Sequence, residues 1–116
     1  VSRSVRLGLR QPEGNGHLHL TGPAGSRTFN LRVHDYRAKA PKSMTPFDNF
    51  PTEDRSKPSP EWNRYDISAK GGVLRLSVNG KEVTVGKDCV PRKGFICLES
   101  EGSECHFKNI RIKELK

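Results

Sequence analysis

Short runs of strictly alternating apolar and polar residues constrain the fold of this chain more than any other feature of its sequence. Val5, Leu7 and Leu9 alternate with polar or small residues, and the same period of two returns at 29–34 and 65–69. Side chains two residues apart in a strand lie on one face, so each run predicts a half-buried strand. Gly and Pro, of which the chain has 11 and 8, separate the runs. The pattern predicts an all-β domain.

The second half of the chain contains two predicted hairpins. The runs 73–78 and 81–85 flank Asn79-Gly80, a pair that favours a two-residue type I′ turn because both central positions need positive φ. The runs 95–99 and 105–112 flank a second turn. This makes about eight strands and no helix, and consecutive hairpins with one apolar face are typical of an antiparallel β-sandwich.

One apolar layer is expected to hold this sandwich together. Its predicted members are Leu7, Leu9, Phe29, Leu31, Leu74, Leu76, Val83, one of Phe95 and Ile96, Phe107, Ile110 and Ile112. Residues 36–60 break the alternation, since they hold five of the eight prolines and little apolar periodicity. We expect one long loop there, of the kind that is usually functional or disordered.

Length, hydropathy and charge exclude several classes of protein. A chain of 116 residues suits a single domain, 1–116, and no apolar run approaches the roughly 20 residues of a membrane-spanning helix. The 21 Lys and Arg exceed the 13 Asp and Glu by a formal charge of +8, but they are dispersed, and aromatic residues make up only 7% of the chain. Nucleic-acid binders concentrate basic and aromatic residues on one surface, so we expect no nucleic-acid partner. The lack of a long apolar run predicts no membrane partner.

The three cysteines cannot all pair with one another. Cys97 and Cys105 flank the second predicted turn, and the hairpin register decides whether they face each other. A two-residue turn places them on opposite faces, whereas a three-residue turn places them diagonally on one face. A disulfide needs Cα atoms within about 7 Å, so only the second register permits one. Cys89 is expected to be a free thiol.

Four motifs in the second half carry a resemblance to a known family. They are Lys57-Pro58-Ser59-Pro60-Glu61-Trp62-Asn63, then Asn79-Gly80, then Gly94-Phe95-Ile96-Cys97-Leu98-Glu99, and finally Phe107-Lys108-Asn109-Ile110-Arg111-Ile112-Lys113-Glu114-Leu115. Their order and spacing resemble the C-terminal half of the 3-keto-disaccharide hydrolase family. The resemblance implies a concanavalin A-like, or laminin G-like, jelly roll.

The first half resembles that family more loosely. Asn30 and Arg32 stand where its members usually have a glutamate and a glutamine, and Glu99 stands where they have a glutamine. Because the family's opening strands have no counterpart here, we expect a trimmed or shortened member. A shortened sheet would leave an edge uncovered, which permits self-association into an oligomer.

The resemblance implies a carbohydrate-associated domain that binds or hydrolyses a glycoside, and an active member would hydrolyse a 3-keto-glycoside. Two alternatives stay open: a non-catalytic adhesion or scaffold module, and a polyanion-binding module driven by the charge of +8. We expect an extracellular or periplasmic location and no cofactor.

The candidate site residues are polar groups on strands. Glycoside cleavage commonly uses carboxylates, and Glu99 is the predicted catalytic residue because it lies on a strand; a solvated or salt-bridged carboxylate is the alternative. The predicted saccharide-binding residues on the outer sheet face are Arg10, Asn30, Arg32 and His34. Such side chains hydrogen-bond hydroxyls and carboxylates, which favours an acidic sugar. An ordinary solvated sheet face is the alternative.

Two further features of the sequence have competing interpretations. Trp62, the only tryptophan, is a candidate platform for sugar stacking or an aromatic residue that anchors a strand. His17 and His19 share one face of a strand, and His34 with Asp35 lies on the next predicted strand. Two histidines and a carboxylate suit zinc or iron, but we favour solvated histidines and predict no metal.

Overall fold

A computed structural model describes residues 2–10, 17–21, 28–34, 48–90, 96–98 and 104–115, with the backbone alone described for 2–10, 17–21 and 28–30. Eight strands lie in these ranges. They are β1 (Ser2–Arg10), β2 (His17–Thr21), β3 (Thr28–Arg32), β4 (Asp48–Asn49), β5 (Asn63–Lys70), β6 (Val73–Val78), β7 (Lys81–Gly86) and β8 (His106–Leu115). The described ranges contain no helix, and therefore none that could span a membrane. The all-β prediction is confirmed.

The strands form two sheets. The large sheet has the order β7-β6-β5-β1-β8, and the small sheet has the order β2-β3-β4. Every pair is antiparallel except β3 and β4, which run parallel. The predicted Asn79-Gly80 turn is confirmed, since both residues have positive φ, 51° and 92°, between the paired residues Val78 and Lys81.

The core lies where the small sheet meets the β7 edge of the large sheet. Leu31 and Val33 of the small sheet pack with side chains of the large sheet in one buried cluster, whose other members are Tyr65, Leu74, Leu76, Val78, Val83 and Cys89. Thr84 in β7 is 1% exposed and donates a hydrogen bond from Oγ1 to the backbone oxygen of Arg32 at 2.8 Å. A polar link therefore joins the two sheets beside the apolar contact.

The core prediction is confirmed near the β7 edge of the large sheet and is wrong at the opposite edge, β8. Leu31, Leu74, Leu76 and Val83 are buried, and Phe107 packs partly against them. Ile96, the alternative to Phe95 at one predicted core position, is 50% exposed, and Ile110 and Ile112 of β8 are 47% and 54% exposed. The reason is topological, because β8 is the edge strand farthest from β7 and from the small sheet that covers it. The side chains of Leu7, Leu9 and Phe29, and all of Phe95, lie outside the described residues.

The second predicted hairpin is also wrong. Residues 96–98 are not in a strand, and β8 pairs with β1 instead, from Ser2 opposite Leu115 to Arg10 opposite His106. The register that would have brought Cys97 to Cys105 is absent from the described residues, and all three cysteines are free thiols. Of these, Cys89 is buried and Cys97 is exposed.

The structure describes residues 48–60 of the expected long loop at 36–60. Residues 48–49 form β4, and the following segment attaches to β7 through a hydrogen bond from the Thr52 amide to the Val83 oxygen at 2.8 Å. Residues 35–47 lie outside the described part of the chain. Within residues 48–60, part of the predicted loop is therefore the strand β4 of the small sheet, and the segment after it is bonded to the large sheet.

Candidate functional site

The described side chains at the end of β3 divide between the core and the opposite side of the small sheet. Leu31 and Val33 are 0% and 1% exposed and belong to the core. Arg32, next to Leu31 in β3, lies on the opposite side, where it contacts Asp48, and His34, two residues after β3, contacts Asp54 and Ser56 instead of the core. The register adds neighbours to this side, because His17 pairs with Arg32, and His19 with Asn30. We call the positions of His17, His19, Asn30, Arg32, His34 and Asp48 the outer face of the small sheet.

An ion pair organises the middle of the outer face. Asn30 pairs in register with Asp48 of β4, and Nε and Nη2 of Arg32 both donate to Oδ1 of Asp48, at 3.1 and 2.9 Å. The Asp48 side chain is only 1% exposed, and that of Arg32 is 23% exposed. A carboxylate so deeply buried needs a charged partner. Asp48 therefore fixes the position of the Arg32 guanidinium.

A second polar group lies at one end of the outer face. Nδ1 of His34 is 2.8 Å from Oδ2 of Asp54, and Nε2 of His34 is 3.3 Å from Oγ of Ser56. Ser56 also donates to Oδ1 of Asp54, from Oγ at 2.8 Å and from its amide at 3.0 Å. The imidazole thus lies between a carboxylate and a hydroxyl. We call His34, Asp54 and Ser56 the His34 cluster.

Parallel pairing of β3 and β4 brings the members of this cluster together. Because parallel strands leave a sheet at the same end, the chain that follows β3 runs beside the chain that follows β4. His34 comes two residues after β3, and Asp54 comes five residues after β4. A hairpin between these strands would instead have sent the two segments to opposite ends.

The hydrogen bonds define what the His34 cluster can do chemically. Asp54 accepts the Ser56 hydroxyl proton, so that proton is directed away from His34. With Nδ1–H donating to Asp54, a neutral His34 has its basic lone pair on Nε2. A protonated His34 can donate from Nε2 to Ser56 or to a ligand. The cluster is therefore suited to a histidine that accepts and returns a proton, rather than to a serine nucleophile.

Asp54 is held in its charged form. Burial alone would raise the pKa of its carboxyl, but hydrogen bonds from the Ser56 hydroxyl and amide and from His34 lower the pKa below its ordinary value. The carboxylate also acts on Tyr65 in β5. Burial first, and then the negative charge of Asp54, raise the pKa of the Tyr65 hydroxyl far above its usual range. Asp54 is thus an anion at neutral pH, as an acceptor for His34 must be.

The remaining predicted site residues are not brought into this arrangement by any described contact. Arg10 ends β1 in the large sheet, opposite His106 of β8. Trp62 precedes β5, and the Lys108 ammonium lies over its ring, 4.1 Å from the centroid. A cation thus covers one face of the ring that a sugar would use for stacking. Glu99 lies outside the described residues, so its catalytic role stays a prediction.

No metal-binding group of three or more side chains occurs within the part of the chain described here. Asp35, the carboxylate in the metal alternative, lies outside that part. The register does make β2 and β3 neighbours, which the metal alternative required.

Asp54 and Ser56 were not predicted as site residues. The local signal for them is the Asp-x-Ser spacing in 54–56, which favours an Asx turn in which the aspartate accepts from the backbone two residues on. That turn forms, since the Ser56 amide donates to Asp54 Oδ1. Nothing local in the sequence indicates that a histidine 20 residues earlier would join it.

The sequence model of one family, described as a 3-keto-alpha-glucoside-1,2-lyase-like domain, matches residues 10–113. The chain belongs to this family. The resemblance to 3-keto-disaccharide hydrolases is therefore confirmed, and the match extends through the first half, where the motifs were loose. No curated protein and no solved structure matches the chain. In this 3-keto-glucoside lyase-like domain, both the outer face and the His34 cluster lie within the matched residues.

Proposed function

We propose that this domain binds a 3-keto-glycoside on the outer face of the small sheet and cleaves it with His34 as the acid–base residue. The observation that carries the proposal is the His34 imidazole held between Asp54 and Ser56. General bases and acids are most often histidines oriented by a carboxylate. Membership of a family named for 3-keto-glucosides supports the substrate class.

The family description names a 1,2-lyase, and elimination suits a lone histidine base. A ketone at C3 of the sugar acidifies the proton on C2. Nε2 of His34 takes that proton, the electron pair of the C2–H bond forms a double bond between C1 and C2, and the C1–O bond breaks. The leaving alcohol oxygen then receives a proton, which the imidazolium can return. Two carboxylates, as in direct glycoside hydrolysis, are not required for this route.

The described charges on the outer face, those of Arg32 and Asp48, favour a neutral sugar. Arg32 is paired with Asp48 through two hydrogen bonds, so its positive charge is already compensated by a buried carboxylate. An acidic sugar would need an uncompensated cation. We therefore propose a neutral 3-keto-glucoside as the substrate.

The test is turnover of a nitrophenyl 3-keto-α-glucoside, followed by release of the coloured nitrophenolate. We expect wild-type turnover, and a loss of about 10²–10⁴-fold in kcat for His34→Gln, the usual contribution of a general base. His106→Gln is the matched control, because His106 is also a surface histidine paired with a carboxylate, that of Glu104. It should keep wild-type activity.

Replacement of the C2 hydrogen of the substrate by deuterium separates the two routes. Elimination predicts a slower reaction and an unsaturated keto product that absorbs ultraviolet light. Hydrolysis predicts no deuterium effect and no unsaturated product, and that result would support Glu99 as the catalytic residue. Binding without turnover by the wild-type protein would contradict cleavage and support a non-catalytic carbohydrate-binding module.

A further inference from the structure

Two asparagines in different parts of the chain hold the backbone on either side of Ser56. Asn63, at the start of β5, is 7% exposed. Its Oδ1 accepts from the Lys57 amide at 2.7 Å, and its Nδ2 donates to the Lys57 oxygen at 2.9 Å. A single side chain therefore satisfies both backbone groups of the residue that follows Ser56.

Asn79 holds the residue that precedes Ser56. Its Nδ2 donates to the Arg55 oxygen at 2.7 Å and to Oδ1 of Asn63 at 2.9 Å. Its Oδ1 accepts from the Arg64 amide at 2.9 Å, which ties the same side chain to β5. The two asparagines thus form one hydrogen-bonded unit, which we call the asparagine clamp.

Arg55, in the segment that the asparagine clamp holds, also bonds to the turn that contains Asn79. The Arg55 guanidinium donates from Nε to the Val78 oxygen and from Nη2 to the Asn79 oxygen, both at 3.3 Å. Residues 55 and 57 are therefore attached to the β5–β6–β7 part of the large sheet by backbone and side-chain bonds. The hydroxyl of Ser56, which lies between these two residues in the chain, contacts both His34 and Asp54.

We propose that Asn63 and Asn79 are positioning residues that set the geometry of the His34 cluster through the backbone of 55–57. His34 follows β3 of the small sheet, whereas Asp54 and Ser56 lie in the segment 52–57, which contains no apolar residue. A shift of about 1 Å in such a segment is enough to misplace a catalytic group. The asparagine clamp holds the backbone of residues 55 and 57 against the large sheet and so limits such a shift. This role rests on the proposed function of His34.

The proposal also explains why asparagine occurs at positions 63 and 79, which the fold alone does not require. An Asn-Gly turn needs only positive φ at Asn79, which glycine or aspartate also accepts. The amide donor of Asn79 is an additional requirement, since two oxygens accept from it. Likewise, Asn63 is a buried polar residue in a strand, where an apolar residue would be expected unless its bonds mattered.

The decisive variant is Asn79→Asp. Aspartate tolerates the turn and still accepts from the Arg64 amide, but its second carboxylate oxygen would face the Arg55 and Asn63 oxygens with no proton to share. The matched control is Asn109→Asp, because Asn109 also has positive φ, 56°, and is an exposed asparagine with no described hydrogen bond. Both variants change the net charge equally.

Nitrogen NMR of the histidine rings reads the effect without any substrate. The Nδ1–H form of His34, which the Asp54 bond favours, should predominate in the wild type and in Asn109→Asp. In Asn79→Asp we expect the Nε2–H form to become populated, and exchange of the Lys57 amide proton to become about tenfold faster or more. Unchanged ring signals and unchanged Lys57 exchange would overturn the proposal.

A second variant guards against misfolding, and an activity measurement separates this proposal from the previous one. Asn79→Gly keeps the turn and removes only the side-chain bonds, so it should show the same changes at His34 and Lys57. If the domain turns over substrate, kcat should fall about tenfold with a smaller change in KM. If the ring signals change in the Asn79 variants but the wild-type protein shows no turnover, the proposed function is refuted and the positioning role of the asparagine clamp is retained.

Discussion

The imidazole Nδ1 of His34 lies 2.8 Å from Oδ2 of Asp54, although 20 positions separate the two residues in the chain. The contact joins the end of β3 to the segment after β4, and it depends on the parallel pairing of those strands. A neutral His34 that donates Nδ1–H to Asp54 keeps its basic lone pair on Nε2, and Asp54 also accepts the Ser56 hydroxyl proton. The catalytic proposal follows from this one relationship.

Asp54→Asn should impair turnover while leaving the fold intact. The amide can still accept from His34, but it no longer stabilises the imidazolium that forms when the base takes a proton. We expect a fall in kcat/KM of about 10²-fold or more, measured with the nitrophenyl 3-keto-α-glucoside. Glu82→Gln is the matched control, because Glu82 is also an exposed carboxylate paired with one basic residue, Arg75. Equal activity in the two variants would contradict a role for Asp54.

Asp54 should also make a contribution to stability that depends on pH. Because hydrogen bonds lower its folded pKa, the contribution is complete above the unfolded pKa, about 4, and is lost as the pH falls through the folded value. The free energies of unfolding of wild type and Asp54→Asn should therefore differ most near neutral pH and converge in acid. Urea titrations at several pH values measure this difference. A gap that widens in acid would show that the pKa is not lowered.

The fold was predictable from sequence wherever the signal is local. Alternation locates β1, β3 and β5, and Asn79-Gly80 locates the β6–β7 turn. Pairing is not a local property. The apolar residues of β8 fit a hairpin with 95–99 as well as they fit pairing with β1, and only long-range competition decides between them.

The site was predictable only in part for the same reason. His34 was found because the alternation of residues 29–34 predicts it on the same side as Asn30 and Arg32. Asp54 and Ser56 lie in a segment without periodicity, and their approach to His34 depends on β4, a strand of two residues, Asp48–Asn49, with no sequence signal of its own. A contact created by topology cannot be inferred from spacing along the chain.

The correction to the predicted core has a direct test in two aliphatic residues of one sheet. Leu76 is 0% exposed in β6, beside the β7 edge of the large sheet, whereas Ile112 is 54% exposed on the opposite edge strand β8. Leu76→Ala should lower the free energy of unfolding by about 2–5 kcal/mol, and Ile112→Ala by no more than about 1 kcal/mol. Chemical denaturation measures both. Similar losses would mean that Ile112 is covered in solution, as self-association through β8 would produce.

Thr84 should be more important to stability than its size suggests. Its Oγ1 donates to the Arg32 oxygen at 2.8 Å in a place where Thr84 is 1% exposed. Thr84→Val keeps the shape but leaves a buried carbonyl without this donor, at a cost of about 1–3 kcal/mol. Thr84→Ser keeps the hydroxyl and is the control. If valine is tolerated as well as serine in thermal unfolding, the bond between the sheets is not stabilising.

Removal of the buried Tyr65 hydroxyl should have the opposite effect on stability to removal of the Thr84 hydroxyl. The residue is 7% exposed, and within the described part of the chain its hydroxyl has no hydrogen-bond partner. Removing an unsatisfied buried hydroxyl costs little, so Tyr65→Phe should leave the free energy of unfolding at neutral pH unchanged or raise it by up to about 1 kcal/mol. A loss above about 1 kcal/mol would indicate a partner for the hydroxyl.

Alkaline pH gives the same residue a second signature. Burial and the charge of Asp54 raise the folded pKa of Tyr65, so the stability that its neutral form contributes is complete below the unfolded pKa, about 10, and is lost as the pH rises toward the folded value. Wild type should therefore lose stability relative to Tyr65→Phe above about pH 10. The single variant Asp54→Asn, which keeps Tyr65 but removes the negative charge, should show a smaller alkaline loss than wild type, because burial alone then raises the pKa of Tyr65. Parallel pH curves for wild type and Tyr65→Phe would mean that Tyr65 ionises as readily in the folded domain as in the unfolded chain, and that Asp54 does not act on it.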